Sequence, residues 1–130
     1  MLRKRLFIFL TLLMQACSHD SKTHISQSDL RQQLANNSPI IIDVRSNMEY
    51  QAGHIPNAIH IPFWTAFTTE QLRGYSSDQP LVLYCEHGPR AGIAKLGLSL
   101  QGFQSIRYLE GHMMAWRKAK LPINVSATTR

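Results

Sequence analysis

Apolar and polar residues along this chain form short blocks that predict strands and helices in alternation. Two runs, 40–44 and 80–84, are almost wholly apolar, which is typical of strands buried on both faces. Shorter apolar runs predict further strands at 58–61 and 105–109. Strands separated by helical segments indicate parallel pairing with helices on both faces. The pattern therefore predicts an α/β fold with an open, mostly parallel sheet of about four to five short strands.

Several helix starts carry capping signals. Residues 46–49, Ser-Asn-Met-Glu, form a capping box that opens a short helix closed by Gly53, and 68–71 resembles a second capping box. Ser28 or Asp29 can cap an earlier short helix. These signals place helices between the predicted strands, as an α/β fold requires.

Two later segments have helical periodicity. Ile93, Leu96 and Leu100 recur at helical spacing within 90–101, and the glycine at 102 supplies a stop. Residues 113–120 predict a last helix, which a proline at 122 ends.

The N-terminus has the layout of an export signal. Three basic residues at 3–5 precede an uncharged apolar run at 6–14. The run is too short to span a bilayer comfortably, since a spanning helix needs roughly 20 apolar residues. We therefore predict a signal peptide at 1–16, a polar tether at 17–27, a folded domain at 28–125 and a disordered tail at 126–130.

Cys17 is a candidate lipidation site. The segment 13–17, Leu-Met-Gln-Ala-Cys, resembles a bacterial lipobox, in which the cysteine becomes the lipidated first residue. Met14 is too large for ordinary cleavage after Ala16. The resemblance to a lipobox also implies that Ser18, which follows the cysteine, is compatible with outer-membrane sorting, so we expect a bacterial envelope protein anchored to the outer membrane and facing the periplasm. A soluble periplasmic form and an uncleaved anchor are the alternatives.

The charge balance argues against a nucleic-acid partner. The chain carries 14 Lys and Arg against 8 Asp and Glu, for a net charge of +6. Subtracting the three basic residues of the predicted signal from these 14 leaves 11, so the mature chain is only +3. The short basic run at 117–120 reads as the solvated end of a helix, without interleaved aromatic residues.

Cys85 is the strongest candidate for chemistry. It directly follows the predicted strand at 80–84, and ligands bind beyond the carboxyl ends of strands in open parallel sheets. The loop after it leads into a helix whose N-terminal amides favour an anion such as a thiolate. Gly88 permits a tight turn, and Arg90 adds a fixed positive charge.

Two other interpretations of Cys85 compete with a reactive thiol. A free cysteine at a strand end is often a buried structural residue. A disulfide with Cys17 is the other, because an exported protein meets oxidising conditions, but lipidation of Cys17 would consume that thiol.

The residues themselves resemble the rhodanese family of sulfurtransferases. Four segments match motifs of single-domain rhodaneses in the same order, over about residues 28–123. They are 41–50 (Ile-Asp-Val-Arg with a later Glu-Tyr), 53–62 (Gly-His-Ile-Pro and a final Ile-Pro), 85–91 (Cys-x-x-Gly-x-Arg-Ala) and 109–116 (Leu-x-Gly and a final Ala-Trp). His112 stands where the last motif has its second glycine, and Asn57 replaces a usual glycine in the second.

The resemblance implies a fold and a reaction. The fold is rhodanese-like, and in the reaction the Cys85 thiolate takes a sulfane sulfur from a small donor such as thiosulfate or a persulfide. A thiol or cyanide-like acceptor then removes that sulfur from the Cys85 persulfide. Glu86 and His87 are not the basic residues of thiosulfate-specific loops, so the donor stays open.

The resemblance also implies roles for the neighbours of Cys85, and it implies no cofactor. The loop expected to bind donor and persulfide consists of Glu86, His87, Gly88, Pro89, Arg90 and Ala91. Asp43, Arg45 and Glu49 have supporting roles, for which a strand-end ion pair and the capping box are structural alternatives. The histidines have no ligand spacing, so no metal site is expected, and His54 and His60 are interpreted as scaffold.

Two rival functions are open. Related cysteine phosphatases and arsenate reductases have a Cys-x5-Arg loop, whereas Cys85 and Arg90 form Cys-x4-Arg, which suits one sulfur atom better than a tetrahedral oxyanion. The other rival is a non-enzymatic persulfide carrier or binding lipoprotein of the envelope.

Overall fold

The computed structural model describes residues 22–126, in which five short strands form one open parallel sheet. The strands are β1 (His24–Ile25), β2 (Ile40–Asp43), β3 (Ile59–His60), β4 (Leu81–Tyr84) and β5 (Ile106–Leu109). The helices are α1 (Gln27–Leu34), α2 (Asn47–Ala52), α3 (Pro89–Leu100) and α4 (His112–Lys118), with a 3-10 turn at Phe63–Thr65. The strand order is β1-β5-β4-β2-β3, and each neighbouring pair is parallel. The predicted α/β fold with an open parallel sheet is confirmed.

Strand β4 lies at the centre of the sheet and is buried on both faces. Its four residues are all buried, and alternate side chains enter two separate cores. Leu81 and Leu83 pack in the core that contains the buried side of α3, whereas Val82 and Tyr84 pack with residues of α1 and α4. Helices therefore cover both faces of β4, and the chain leaves the sheet at the end of this strand into the loop that begins with Cys85.

The ordered fold begins earlier than the predicted boundary at residue 28. Strand β1 lies within the segment 17–27, interpreted above as a polar tether, and pairs with β5. Ser26, rather than Ser28 or Asp29, caps α1 by accepting the Asp29 N–H at 3.0 Å. The predictions for 1–16, for Cys17 and for most of the tail 126–130 lie outside the described residues.

The two predicted capping boxes have different outcomes. The first is present at Ser46 and Glu49, and Gly53 ends α2 as predicted. The prediction of a second capping box at 68–71 is wrong, because no helix starts there. The segment forms turns, in which the Gln71 N–H donates to the Thr69 hydroxyl. The Gln71 side chain instead donates to the His60 carbonyl at 2.9 Å, which holds the segment against the sheet edge.

The apolar stripe of α3 faces solvent. Ile93, Leu96 and Leu100 are 45%, 56% and 72% exposed, and the buried side consists largely of small residues such as Ala94. A side chain at Gly97 would place its Cβ 2.9 Å from the backbone of Ala66, so this glycine permits a close helix approach. No helix within 22–126 has the length and apolarity needed to cross a bilayer.

Candidate active site

Cys85 begins the loop that follows β4, and hydrogen bonds hold it on three sides. Its sulfur accepts the N–H of Gly88 at 2.9 Å. Its own N–H donates to His112 Nδ1 at 3.2 Å, and its carbonyl accepts the N–H of Met113 at 3.0 Å. The residue is 1% exposed, so its position is set by the loop and by the start of α4.

The surroundings of the sulfur favour the thiolate. Burial raises the pKa of the Cys85 thiol, but hydrogen bonding from the His112 side chain and from the amides of Ala91 and Gly88 outweighs it and lowers the pKa to about 7. The thiolate, which is the nucleophilic form of the sulfur, is therefore favoured relative to an ordinary cysteine at neutral pH.

The rest of the loop wraps around the sulfur. Gly88 has φ of 134°, a backbone conformation that favours glycine, and this turn aims its N–H at the sulfur. Its carbonyl accepts the N–H of Ala91 at 3.0 Å, which starts α3 with Pro89 in the first turn. His87 and Pro89 are exposed, so they form the rim of the site.

Arg90 is held by Glu49. Its guanidinium donates to both carboxylate oxygens, at 2.6 and 2.8 Å, which is a bidentate pair. Glu49 also closes the capping box with Ser46. The bond from Arg90 is the main reason that the pKa of Glu49 lies far below its usual range. Arg90 therefore ties α3 to α2 and shapes the loop.

Asp43 and Arg45 form a buried ion pair under the same edge of the sheet. The shortest contact joins Arg45 Nη2 and Asp43 Oδ2 at 2.7 Å, and the residues are 2% and 0% exposed. Arg45 also donates to the Gly53 carbonyl at 2.7 Å and reaches Glu86 at 3.5 Å. The pair anticipated from the sequence thus connects β2, the end of α2 and the loop.

Glu86 links the loop to α4. Its carboxylate is bonded by Arg117 as well as by Arg45. These three residues, with Glu49, Gly53 and Met113, line a cavity of about 350 Å³ beside the loop. From the sequence, Arg117 is predicted to lie at the solvated end of a helix, because no residue near it in the chain indicates that Glu86 lies opposite it.

His112 is a site residue that the sequence interpretation missed. It is 8% exposed and contacts Cys85, although 27 positions separate the two residues. A signal is present in the sequence, since a histidine stands where the late motif has a glycine, but the motif does not indicate what this side chain contacts.

His54 and His60 hold the scaffold. His54 Nδ1 lies 2.8 Å from the Tyr50 carbonyl, and His60 Nε2 lies 2.8 Å from the Arg45 carbonyl. Both rings stack on Tyr50. Within 22–126 no three His, Cys, Asp or Glu side chains are grouped as a metal site.

Glu49→Gln tests the support of the loop. We expect the free energy of unfolding to fall by about 1–2 kcal/mol, because glutamine has no negative charge and can accept only one of the two hydrogen bonds from Arg90. Since folding lowers the pKa of Glu49, its stabilising effect is present above the unfolded value of 4.5 and is lost as the pH falls. Denaturant unfolding at neutral and acidic pH measures both effects.

Glu70→Gln is the matched control for this change. Glu70 also pairs with an arginine, Arg73, but both side chains are about three-quarters exposed. We expect a change below about 0.5 kcal/mol. Equal losses in the two variants would contradict a special role for the Glu49–Arg90 pair.

Comparison with known proteins identifies the family. A rhodanese-like domain is matched over residues 26–119. An uncharacterized protein of Synechocystis is 32% identical over 107 residues, which are 82% of this chain and 59% of that protein. The thiosulfate sulfurtransferase GlpE of Vibrio cholerae is 27% identical over 82% of this chain and 99% of its own length.

A solved structure of a rhodanese-related protein has a similar fold. The crystal structure of a rhodanese-related protein from Thermoplasma volcanium has a TM-score of 0.66 at 27% identity, over 80% of this chain and 99% of that one. The chain spans about three fifths or less of the length of several curated relatives that it matches. By its sequence and by its fold, this chain belongs to the rhodanese-like domain family.

Proposed function

We propose that the protein is a sulfurtransferase whose Cys85 receives a sulfane sulfur from a small donor and passes it to a thiol or cyanide-like acceptor. The observation that carries this proposal is the thiol of Cys85, which accepts the Gly88 N–H and has its pKa lowered to about 7. The name of the similar Vibrio cholerae protein, a thiosulfate sulfurtransferase, supports the same activity.

The reaction has two displacements. The Cys85 thiolate attacks the outer sulfur of thiosulfate, the donor's S–S bond breaks, and sulfite leaves with the bonding electron pair. The outer sulfur of the new Cys85 persulfide is then attacked by cyanide or by an acceptor thiolate. The second S–S bond breaks, and its electron pair restores the Cys85 thiolate. A persulfide donor follows the same path, with a thiolate in place of sulfite.

The state of Arg90 disfavours phosphate chemistry. A phosphatase loop needs its arginine to bind the transferred oxyanion. In this protein Nη1 and Nη2 of Arg90 both donate to the carboxylate of Glu49. The low exposure of Cys85 also favours donors that present a slender sulfur terminus.

Intact-mass analysis tests the proposal. We expect incubation with thiosulfate or with a small persulfide to add the mass of one sulfur atom, and cyanide to remove it with formation of thiocyanate. Thiocyanate formed repeatedly from thiosulfate supports an enzyme. A single sulfur that only a partner protein can remove supports a carrier, and no loading by either donor would contradict both.

We also propose that the protein acts in the bacterial envelope as a lipoprotein anchored through Cys17. This rests on the basic and apolar layout of 1–16 and on the lipobox-like segment 13–17. We expect metabolic labelling with palmitate to mark the wild type and to be lost in Cys17→Ala. Labelling that survives this change would contradict the anchor, and the Cys85→Ser variant, which keeps Cys17, is the control.

A further inference from the structure

Large apolar side chains are exposed around the loop that begins with Cys85. Met48, Trp64, Ile93 and Met114 are between 45% and 82% exposed. They lie in the segments that follow the carboxyl ends of β2, β3, β4 and β5, in that order. Because these strands are parallel neighbours, their carboxyl ends meet at one edge of the sheet. We call these four residues the apolar rim.

Hydrogen bonds tie two members of the apolar rim to the loop. Met48 directly precedes Glu49, whose carboxylate accepts both bonds from Arg90 at 2.6 and 2.8 Å. On the other side of the loop, the Met114 N–H donates to the Glu86 carbonyl at 3.4 Å. Both methionines are therefore held beside the segment that carries the reactive sulfur.

The other two members lie on the α3 side of the loop. Ile93 follows Arg90 by three positions, which is less than one turn of the helix. The 3-10 turn that contains Trp64 packs against α3. Its first residue, Phe63, donates its N–H to the Val44 carbonyl at 3.0 Å, just beyond the end of β2. The rim therefore borders the loop on several sides.

The charged side chains at this edge of the sheet neutralise one another. They form the pairs Arg90–Glu49, Arg45–Asp43 and Arg117–Glu86. Exposed apolar patches with such surroundings are typical of interaction surfaces. Small anions such as thiosulfate and cyanide have no apolar surface to place against methionine or tryptophan. The rim therefore fits a larger partner with apolar side chains, at the place where the sulfur acceptor must arrive.

We propose that the apolar rim binds the polypeptide that carries the acceptor thiol, so that Cys85 passes its sulfur preferentially to a cysteine flanked by apolar side chains. This inference rests on the proposed function of Cys85 and names the class of acceptor. Methionine adapts to apolar partners of different shape, and aromatic side chains are enriched at protein interfaces. Cys85 is 1% exposed, so docking also positions the acceptor sulfur over a thiol that lies below the surface.

The transfer to such an acceptor exchanges one sulfur atom. The acceptor cysteine, as thiolate, attacks the outer sulfur of the Cys85 persulfide and forms a new S–S bond. The bond between that sulfur and Cys85 breaks, and its electron pair returns to the Cys85 sulfur. The acceptor leaves as a persulfide, and neither an oxidant nor a reductant is consumed.

Two synthetic peptides of equal charge test the preference. Each carries one cysteine, which is flanked by leucines in the first peptide and by serines in the second. After Cys85 has been loaded and the donor removed, the mass of each peptide reports how fast it gains one sulfur atom. We expect the leucine-flanked peptide to react about fivefold to tenfold faster with the wild type. Equal rates would overturn the proposal.

The combined variant Met48→Gln, Ile93→Gln and Met114→Gln removes most of the apolar rim. All three positions are exposed and helical, and glutamine is a good helix former, so we expect the fold to be retained. The ratio of the two peptide rates should fall to within about twofold of one. Damage to the loop alone would slow both peptides alike, so a wild-type ratio in this variant would also overturn the proposal.

Leu100→Gln is the matched control for Ile93→Gln. Both residues belong to the exposed stripe of α3, and Leu100 is the more exposed, at 72%. It ends the helix, however, and lies about 10 Å farther along the axis from the loop, at roughly 1.5 Å per residue. We expect Leu100→Gln to keep the wild-type ratio and Ile93→Gln to lower it. Equal decreases would contradict a docking surface at the loop.

Trp64 reports docking without any sulfur chemistry. The chain has two tryptophans, and Trp116 is only 2% exposed, so acrylamide quenches chiefly Trp64. In a Cys17→Ala chain, we expect protection of Trp64 by a leucine-flanked peptide with serine in place of cysteine. Protection by vesicles of phosphatidylethanolamine and phosphatidylglycerol instead would assign the rim to a bilayer and overturn the proposal, as would protection by neither. Failure of Cys85 to accept sulfur would refute the proposed function without changing this result.

Discussion

Cys85→Ser is expected to abolish sulfur loading completely. Serine keeps the size and shape of the side chain, but an alkoxide is not formed at neutral pH and a hydroxyl cannot hold a sulfane sulfur. Because Cys85 packs in the core that contains Leu83 and Ala91, we expect the fold to tolerate this near-isosteric change. Intact mass after incubation with thiosulfate, followed by treatment with cyanide, measures the loss.

The chain contains its own control for this variant. It has two cysteines, and Cys17→Ala should load sulfur like the wild type, because this change leaves Cys85 and the loop amides around its thiol intact. A mass gain that persists in Cys85→Ser and disappears in Cys17→Ala would assign the chemistry to the wrong end of the chain and refute the proposed mechanism.

The predicted parts of the fold are those with strong local signals. The apolar runs of β2 and β4 are recognisable because both faces of a central parallel strand are buried. The capping box of α2 is a local hydrogen-bond pattern. Strand β1 has only two residues, and it exists because β5 lies beside it, which the adjacent sequence does not indicate. Residues 68–71 carry cap-like residues but form turns that bond to a distant carbonyl.

The same distinction applies to the candidate site, where the sequence indicates local neighbours but not partners that are distant along the chain. Cys85, Gly88 and Arg90 follow one another along the chain, so their proximity is local. The partners of the arginines are not local, because Glu49 meets Arg90 across 41 positions and Glu86 meets Arg117 across 31. The contact between His112 and Cys85 could not be predicted without knowing that α4 starts against the loop. The sequence therefore indicated Cys85 and its loop as the candidate site, whereas the groups that surround and hold them depended on tertiary packing.

The largest expected loss of stability comes from Arg45→Met. This change keeps much of the side-chain volume but leaves the carboxylate of Asp43, which is 0% exposed, without its partner. Breaking a buried pair from one side typically costs about 3–5 kcal/mol. Loss of the bonds from Arg45 to the Gly53 carbonyl and to Glu86 adds to it and loosens the loop. Denaturant unfolding measures the change, with Arg73→Met as an exposed control that should cost less than about 0.5 kcal/mol.

The double variant Asp43→Asn with Arg45→Met separates the two causes of this loss. If the cost is chiefly the unpaired buried charge, then removing that charge restores part of the stability, and the double variant is more stable than Arg45→Met alone. If the cost comes from the bonds to Gly53 and Glu86, the second change restores nothing. A loss below about 1 kcal/mol in Arg45→Met would mean that the Asp43 carboxylate finds water or another donor, and it would refute the role of this pair in holding β2, α2 and the loop together.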